Sequence, residues 1–139
     1  MIEMLAAAAA VFVLDIGTKR IVEARLTQRG VALGPALELK HVSSRRPRYE
    51  RDATKIAMGL LWLTAFASIV ALNFAGARFQ SASTLIGAGI ALGGAAGNLA
   101  DIVTRQAITD FIDFKWWPAF NLADVAILGG LAMAFWPAR

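Results

Sequence analysis

The stretch FQSASTLIGAGIALGGAAGNLAD, Phe79 to Asp101, decides how this chain folds. It carries no charge from Phe79 to Ala100, and roughly 20 such residues are enough for a helix to cross the hydrocarbon core of a bilayer. Gly89, Gly93 and Gly97 recur at every fourth position, so they line one helical face. Such a row lets a second helix approach closely where lipid supplies no hydrophobic drive to association. No strand and turn surround it, so it is not a dinucleotide fingerprint. The stretch closes on Asn98-Leu99-Ala100-Asp101, and the same four residues return as Asn121-Leu122-Ala123-Asp124.

The rest of the chain has the same character. Of 139 residues, 58% are hydrophobic and 17% charged, against about 45–50% apolar in soluble domains. Ile56 to Ala77 is a second charge-free run; Met4 to Ile21 is interrupted by Asp15, and Trp116 to Pro137 by Asp124 alone. The expectation is one all-α membrane domain over residues 1–139. Its four transmembrane helices lie near 4–21, 56–77, 79–101 and 120–137, with a basic extramembrane loop over 22–55. The first segment lacks a basic leading region and holds Asp15, so it reads as a retained helix rather than a cleaved signal. With no cysteine, disulfides, thiolate catalysis and sulfur-bound zinc are excluded. His41 is the sole histidine, so a His-based metal cluster is not expected, and neither metal nor cofactor is assigned.

Ten of the fourteen Lys and Arg residues fall between Lys19 and Lys55. No nucleic-acid motif accompanies them, so nucleic acid is not an expected partner. Beside membrane helices they suit anionic phospholipid headgroups, or simply a solvated loop. Within the loop, Gly30 to Ser44 alternates like strands around Gly34-Pro35, which predicts a small β-type hairpin on the membrane surface between the first two helices. Arg45 to Lys55 is a charged connector. The positive-inside rule places this loop in the cytoplasm. Four spans put the first and third connections on one side, whichever way the protein faces.

Acids within membrane spans are costly and usually functional. Asp124 stands in the first turn or two of the fourth helix, where the helix dipole also permits a purely structural role. Asp101 ends the third helix, where the dipole disfavours an anion. Asp15 has Thr18 and Lys19 at i+3 and i+4, so a structural ion pair is its first reading. In each NLAD copy the Asn and Asp are three apart, on one helical face. Asp101 and Asp124 can therefore meet near one membrane face, where two close carboxylates share a proton. The ionised acid can take a proton from water while the protonated one polarises a carbonyl. Asn98 and Asn121 can orient the acids or hold a substrate backbone. Between the copies, DFIDFKWWP (Asp110 to Pro118) alternates acids with aromatics and reads as an amphipathic cover ending in interfacial tryptophans.

GNLAD, then DFIDF, then PAFNLAD, with LDIGTK in the first helix, together resemble the bacterial lipoprotein signal peptidases, signal peptidase II. The resemblance covers the first, third and fourth helices in order. It implies a four-helix aspartic endopeptidase of the bacterial inner membrane that removes signal peptides from diacylglyceryl-modified prolipoproteins, its partners. By resemblance Asp101 and Asp124 are the catalytic pair. Asn98, Asn121, Asp15, Lys19 and Phe120 are support or substrate-binding residues. Family topology puts both termini in the cytoplasm and the active face outside, opposite to the charge rule, and the motif is given precedence; a monomer is expected.

Two features depart from the family pattern. Ile102 stands where the family has Arg after the first catalytic Asp, and Arg105, four beyond Asp101, is expected to replace it in part. The family's NxGAAF motif is missing before the second helix. Two other readings stay open. One is a small transporter or lipid-binding protein using Asp15 as a proton or cation site. The other is a catalytically idle homologue that binds lipoprotein precursors.

Overall fold

A computed structural model describes residues 1–26, 30–45, 51–74 and 81–136. Residues 46–50 of the charged connector, and the expected ends of the second and fourth spans beyond Phe74 and Trp136, lie outside the described residues. The elements in chain order are α1 (Ile2–Arg25), β1 (Val31–Ala32), β2 (Leu37–Arg45), α2 (Asp52–Phe74), α3 (Ala82–Arg105), β3 (Ala107–Phe114) and α4 (Leu122–Phe135).

α3 is the hub. Its start is capped by Ser81, whose Oγ accepts the Thr84 N–H at 3.1 Å, one of the orphan donors of a first turn. Two of its faces are bare. The row predicted from the sequence faces α1: a Cβ at Gly89 or Gly93 would strike the backbone carbonyls of Met4 and Ala8. A second bare face meets α4, where a Cβ at Gly87 would lie 2.6 Å from the Ala134 nitrogen and one at Gly94 2.6 Å from the Ala123 oxygen. Close backbone approach brings dispersion contacts that lipid cannot compete for. α2 packs chiefly on α3. It is held there by Trp62, whose indole N–H donates to Leu92 O at 3.0 Å and whose ring stacks on Phe66 at 5.6 Å.

Among the described residues two helices are long and apolar enough to cross a membrane, Asp52–Leu72 within α2 and Ala82–Arg105; α4 is apolar and shorter. α1 carries Asp15 and Lys19 but turns both inward, where each is almost fully buried.

The extramembrane part corrects the expectation of a hairpin confined to the first connection. β1 and β2 do form that hairpin, with Val31 opposite Leu39. β3, from the connection between α3 and α4, adds to it, giving a three-stranded antiparallel sheet in the order β1-β2-β3. Leu37 stands opposite Phe114, and Arg45 opposite Ala107, with an irregularity between Leu39 and Val42. DFIDF is thus part of a strand, and β3 satisfies backbone groups that β2 would otherwise leave on an open edge. Lys40 and Asp113 form an ion pair between β2 and β3. The first and third connections therefore meet in one sheet at the same end of the helices.

Candidate active site

The site forms where the C-terminal end of α3, the N-terminal end of α4, the middle of α1 and the start of β3 converge. Lys19 sits at its centre with 1% of its side chain exposed. Its ammonium has three N–H donors and three acceptors: Asp15 Oδ2 at 2.6 Å, Asp101 Oδ2 at 3.0 Å and Asn98 Oδ1 at 3.1 Å. An unpaired ammonium at this depth would be prohibitively costly; full pairing makes it tolerable.

The sequence-based reading of Asp15 as an ion-paired residue holds, and the structure adds a second task. Asp15 Oδ1 accepts the Ala123 N–H at 3.0 Å, so a side chain of α1 caps the first turn of α4. Gly97 makes this possible, because a Cβ there would collide with the Asp15 carboxylate.

The two NLAD copies adopt different local structures. Asn98 and Asp101 both lie inside α3 and share a face, as expected. Asn121 does not lie in α4: it is the residue that caps it, which corrects the expectation of a common helical face. Its Oδ1 accepts the Asp124 N–H at 3.1 Å, while Asp124 Oδ2 accepts the Asn121 N–H at 3.1 Å. This reciprocal box satisfies two donors of the helix start. Asn98 Nδ2 donates to Asp124 Oδ1 at 2.9 Å. Asp101 and Asp124 are thus joined through Lys19 and Asn98.

Asp101 is buried and closely held. Besides Lys19, its Oδ2 accepts the Thr109 N–H at 3.2 Å, and its Oδ1 lies 3.7 Å from Arg105 Nη1. The two cations and this N–H offset the unfavourable end of the α3 dipole. Ile102, fully buried, takes the place of the arginine in the family pattern, and Arg105 reaches Asp101 from the next turn.

The site contains an acid that the sequence reading had assigned to a cover. Asp110, in β3, is buried, and its Oδ1 accepts from Asn121 Nδ2 at 3.0 Å. The same amide also points at Asn98 Oδ1 at 3.1 Å and Thr109 O at 3.3 Å. Asn121, with no exposed surface, thereby binds Asn98, Asp110 and Asp124 into one set. Thr109, Asp110 and Phe111 are all buried, so the alternation of a strand would not by itself have marked Asp110 as part of the site.

Asp124 alone of these acids opens outward. It lies in a groove with Trp117, Pro118, Ala119, Phe120, Val125 and Leu128. Phe120 is fixed by mutual backbone hydrogen bonds with Ile112 (2.9 and 3.0 Å) and stacks on Phe114 at 5.9 Å.

A family profile described as Signal peptidase (SPase) II matches residues 7–138. The chain belongs to the signal peptidase II family. A lipoprotein signal peptidase from Nitratidesulfovibrio vulgaris (strain DP4) is 32% identical over 142 residues, covering 95% of this chain and 86% of that relative. One from Mycolicibacterium smegmatis is 33% identical over 138 residues, covering 91% of this chain but 57% of its own greater length. A solved structure described as a bacterial membrane enzyme superposes with a TM-score of 0.77 at 19% identity, covering 94% of this chain and 88% of the other. That likeness speaks for the fold. The signal peptidase II family assignment makes the protein a membrane protease, and it fits the ordered motifs LDIGTK, GNLAD, DFIDF and PAFNLAD.

Proposed function

We propose that this protein is an aspartic endopeptidase that removes signal peptides from diacylglyceryl-modified prolipoproteins at the outer face of the bacterial inner membrane. Four spans carry it, with both termini cytoplasmic. The observation supporting this reading is the Asn121-centred set, which joins buried Asp110 and Asn98 to Asp124, the one of these acids that lines an apolar groove. One ionised carboxylate takes a proton from water, and the resulting hydroxide attacks the scissile carbonyl carbon. A protonated carboxyl gives its proton to the carbonyl oxygen, and collapse of the tetrahedral adduct sends a proton to the leaving amine.

Asp124 is one member of that pair. Sequence reasoning assigned Asp101 as the other, and the geometry adds Asp110. Asp101 already faces two cations and a backbone N–H, which suits a carboxylate that holds the site together. Asp110 shares Asn121 with Asp124, so it is the better-placed partner, with Asp101 in a positioning role. Purified Asp101→Asn, Asp110→Asn and Asp124→Asn forms, given a diacylated prolipoprotein, separate the two assignments. Asp110→Asn and Asp124→Asn should both abolish turnover while the fold persists, and Asp101→Asn should lower both activity and melting temperature. Full turnover by the Asp110→Asn form would restore Asp101 to the pair.

The transporter reading gives Asp15 the main role as a proton or cation site, and that carboxylate is paired with Lys19 and accepts the Ala123 N–H. The idle-homologue reading predicts binding of the precursor without cleavage, and the same assay decides it. The outward orientation is tested with a single cysteine at the exposed Ser43. The native chain has none, so labelling of intact spheroplasts by an impermeant thiol reagent supports the outside placement, and protection reverses it.

A further inference from the structure

Three side chains outside the acid pair meet at the point where α1 leaves the helical bundle. Arg105 Nη1 forms an ion pair with Glu23 Oε1. The Thr109 hydroxyl donates to the same Glu23 oxygen at 3.1 Å and accepts from Arg105 Nη1 at 3.2 Å. The triangle closes, so no member can swing without breaking two contacts. It is also coupled to both inner acids. Arg105 Nη1 stands 3.7 Å from Asp101 Oδ1, the Thr109 N–H donates to Asp101 Oδ2, and the next residue in the chain is Asp110.

From this we infer that Glu23 is a positioning residue for the acid site, acting through Arg105 and Thr109. The inference rests on the peptidase reading above. Glu23 meets Arg105 and Thr109. Its carboxylate fixes the guanidinium that neutralises Asp101, and it anchors the first turns of β3, so that Asp110 emerges at a set position. The family pattern places a cation directly after the first acid; here Ile102 fills that place with apolar surface. A cation arriving from Arg105 reaches back across a helical turn on a long side chain, with about a third of that side chain exposed. Such a side chain has many rotamers to lose, and Glu23 supplies the second point that orders it. Charge and geometry therefore come from two helices, α1 and α3, rather than from one.

The test is a double-mutant cycle on the full chain in detergent or lipid, reading cleavage of a diacylated prolipoprotein. Glu23→Ala should lower kcat about tenfold with KM changed less than about twofold, as expected for a misplaced catalytic group rather than lost substrate contact. Arg105→Ala should do the same, and the double variant should be no slower than Arg105→Ala alone, because both disturb one unit. Arg105→Lys keeps the charge and should recover part of the loss. Melting temperature is followed in parallel. Wild-type kcat in Glu23→Ala, fully additive losses, or a kcat loss that only tracks a fall in melting temperature would each overturn the inference. If wild-type protein itself leaves the precursor uncut, it is the peptidase reading that fails, and with it the basis of this one.

Discussion

The two copies of NLAD share four residues and little else. In the first, Asn98 and Asp101 project from the interior of a helix whose backbone is already hydrogen-bonded, so both side chains are available for long-range partners: Lys19, Arg105, Thr109 and Asp124. In the second, Asn121 and Asp124 begin a helix, and half of their hydrogen-bonding capacity closes its first turn. The first copy ties the site to α1 through Lys19, and Asn121 of the second ties in Asp110. The second fixes where α4 starts and leaves one carboxylate facing a groove. Identical tetrapeptides thus take different duties from their place along a helix, because only a helix start has backbone donors left to satisfy.

The sharpest way to break this contrast is Asp124→Asn. The amide oxygen can still accept the Asn121 N–H, so the box that starts α4 survives while the acid is lost. Turnover should fall by about a thousandfold or more, with only a modest fall in melting temperature from the lost acceptor for Asn98 Nδ2; retained turnover would sink the assignment. Next in size is Lys19→Met, which leaves Asp15 and Asp101 buried without their shared cation. Removing one partner of a buried pair costs about 3–5 kcal/mol, to be read as a lower denaturant midpoint in mixed micelles. An unchanged midpoint would show that water or a neighbouring cation takes over.

How far could the sequence have led to this contrast? The four helices, the bare row facing α1, the Asp15–Lys19 pair and the hairpin around Gly34-Pro35 were legible because each depends on local spacing. The third strand was not, since the acids and aromatics of DFIDF recur every three residues rather than every two, which fits an interfacial element as well as a strand. That single ambiguity hid Asp110, whose burial follows from pairing with β2. The cap formed by Asn121 was readable: an Asn three residues before an acid, at the head of an apolar run, is the pattern of a helix start. Glu23 and Thr109 were out of reach, because they are far apart in the chain and meet Arg105 only through the fold.

Smaller changes sharpen the comparison further. Asn121→Ala removes a cap and strips Asp110 and Asn98 of a donor, costing about 2–3 kcal/mol. Asn98→Ala costs less stability, about 1–2 kcal/mol, because α3 keeps its backbone ladder, but it frees Asp124 Oδ1 and should slow turnover more per unit of stability lost. Equal stability losses for the two asparagines would erase the distinction between the copies. At the end of α3, Gln106 holds a left-handed conformation with φ 57°, the position glycine usually takes. Gln106→Gly should stabilise the protein by about 0.5 kcal/mol net of the entropy glycine adds to the unfolded chain, with kcat unchanged.

The smallest expected effect concerns the strand that carries the chain from one copy to the other. The Asp113 carboxylate, hydrogen-bonded to Lys40, holds that ammonium above the usual lysine range. A raised value in the folded state means that the proton is bound more tightly there than in the unfolded chain. The contribution to stability is then fully present below the ordinary lysine range and is lost as pH rises through the folded value. Lys40→Met should therefore lower the melting temperature slightly at neutral pH, and the gap to wild type should close in strongly alkaline buffer. Raising salt to about 1 M should narrow the gap too, since the pair is partly exposed and screening is then effective within a few ångströms. A gap that widened with pH would mean that Lys40 acts through its aliphatic stem on the sheet rather than through its charge. β3 would then be held to β2 by backbone pairing and packing alone, and the path between the two NLAD copies would owe nothing to this ion pair.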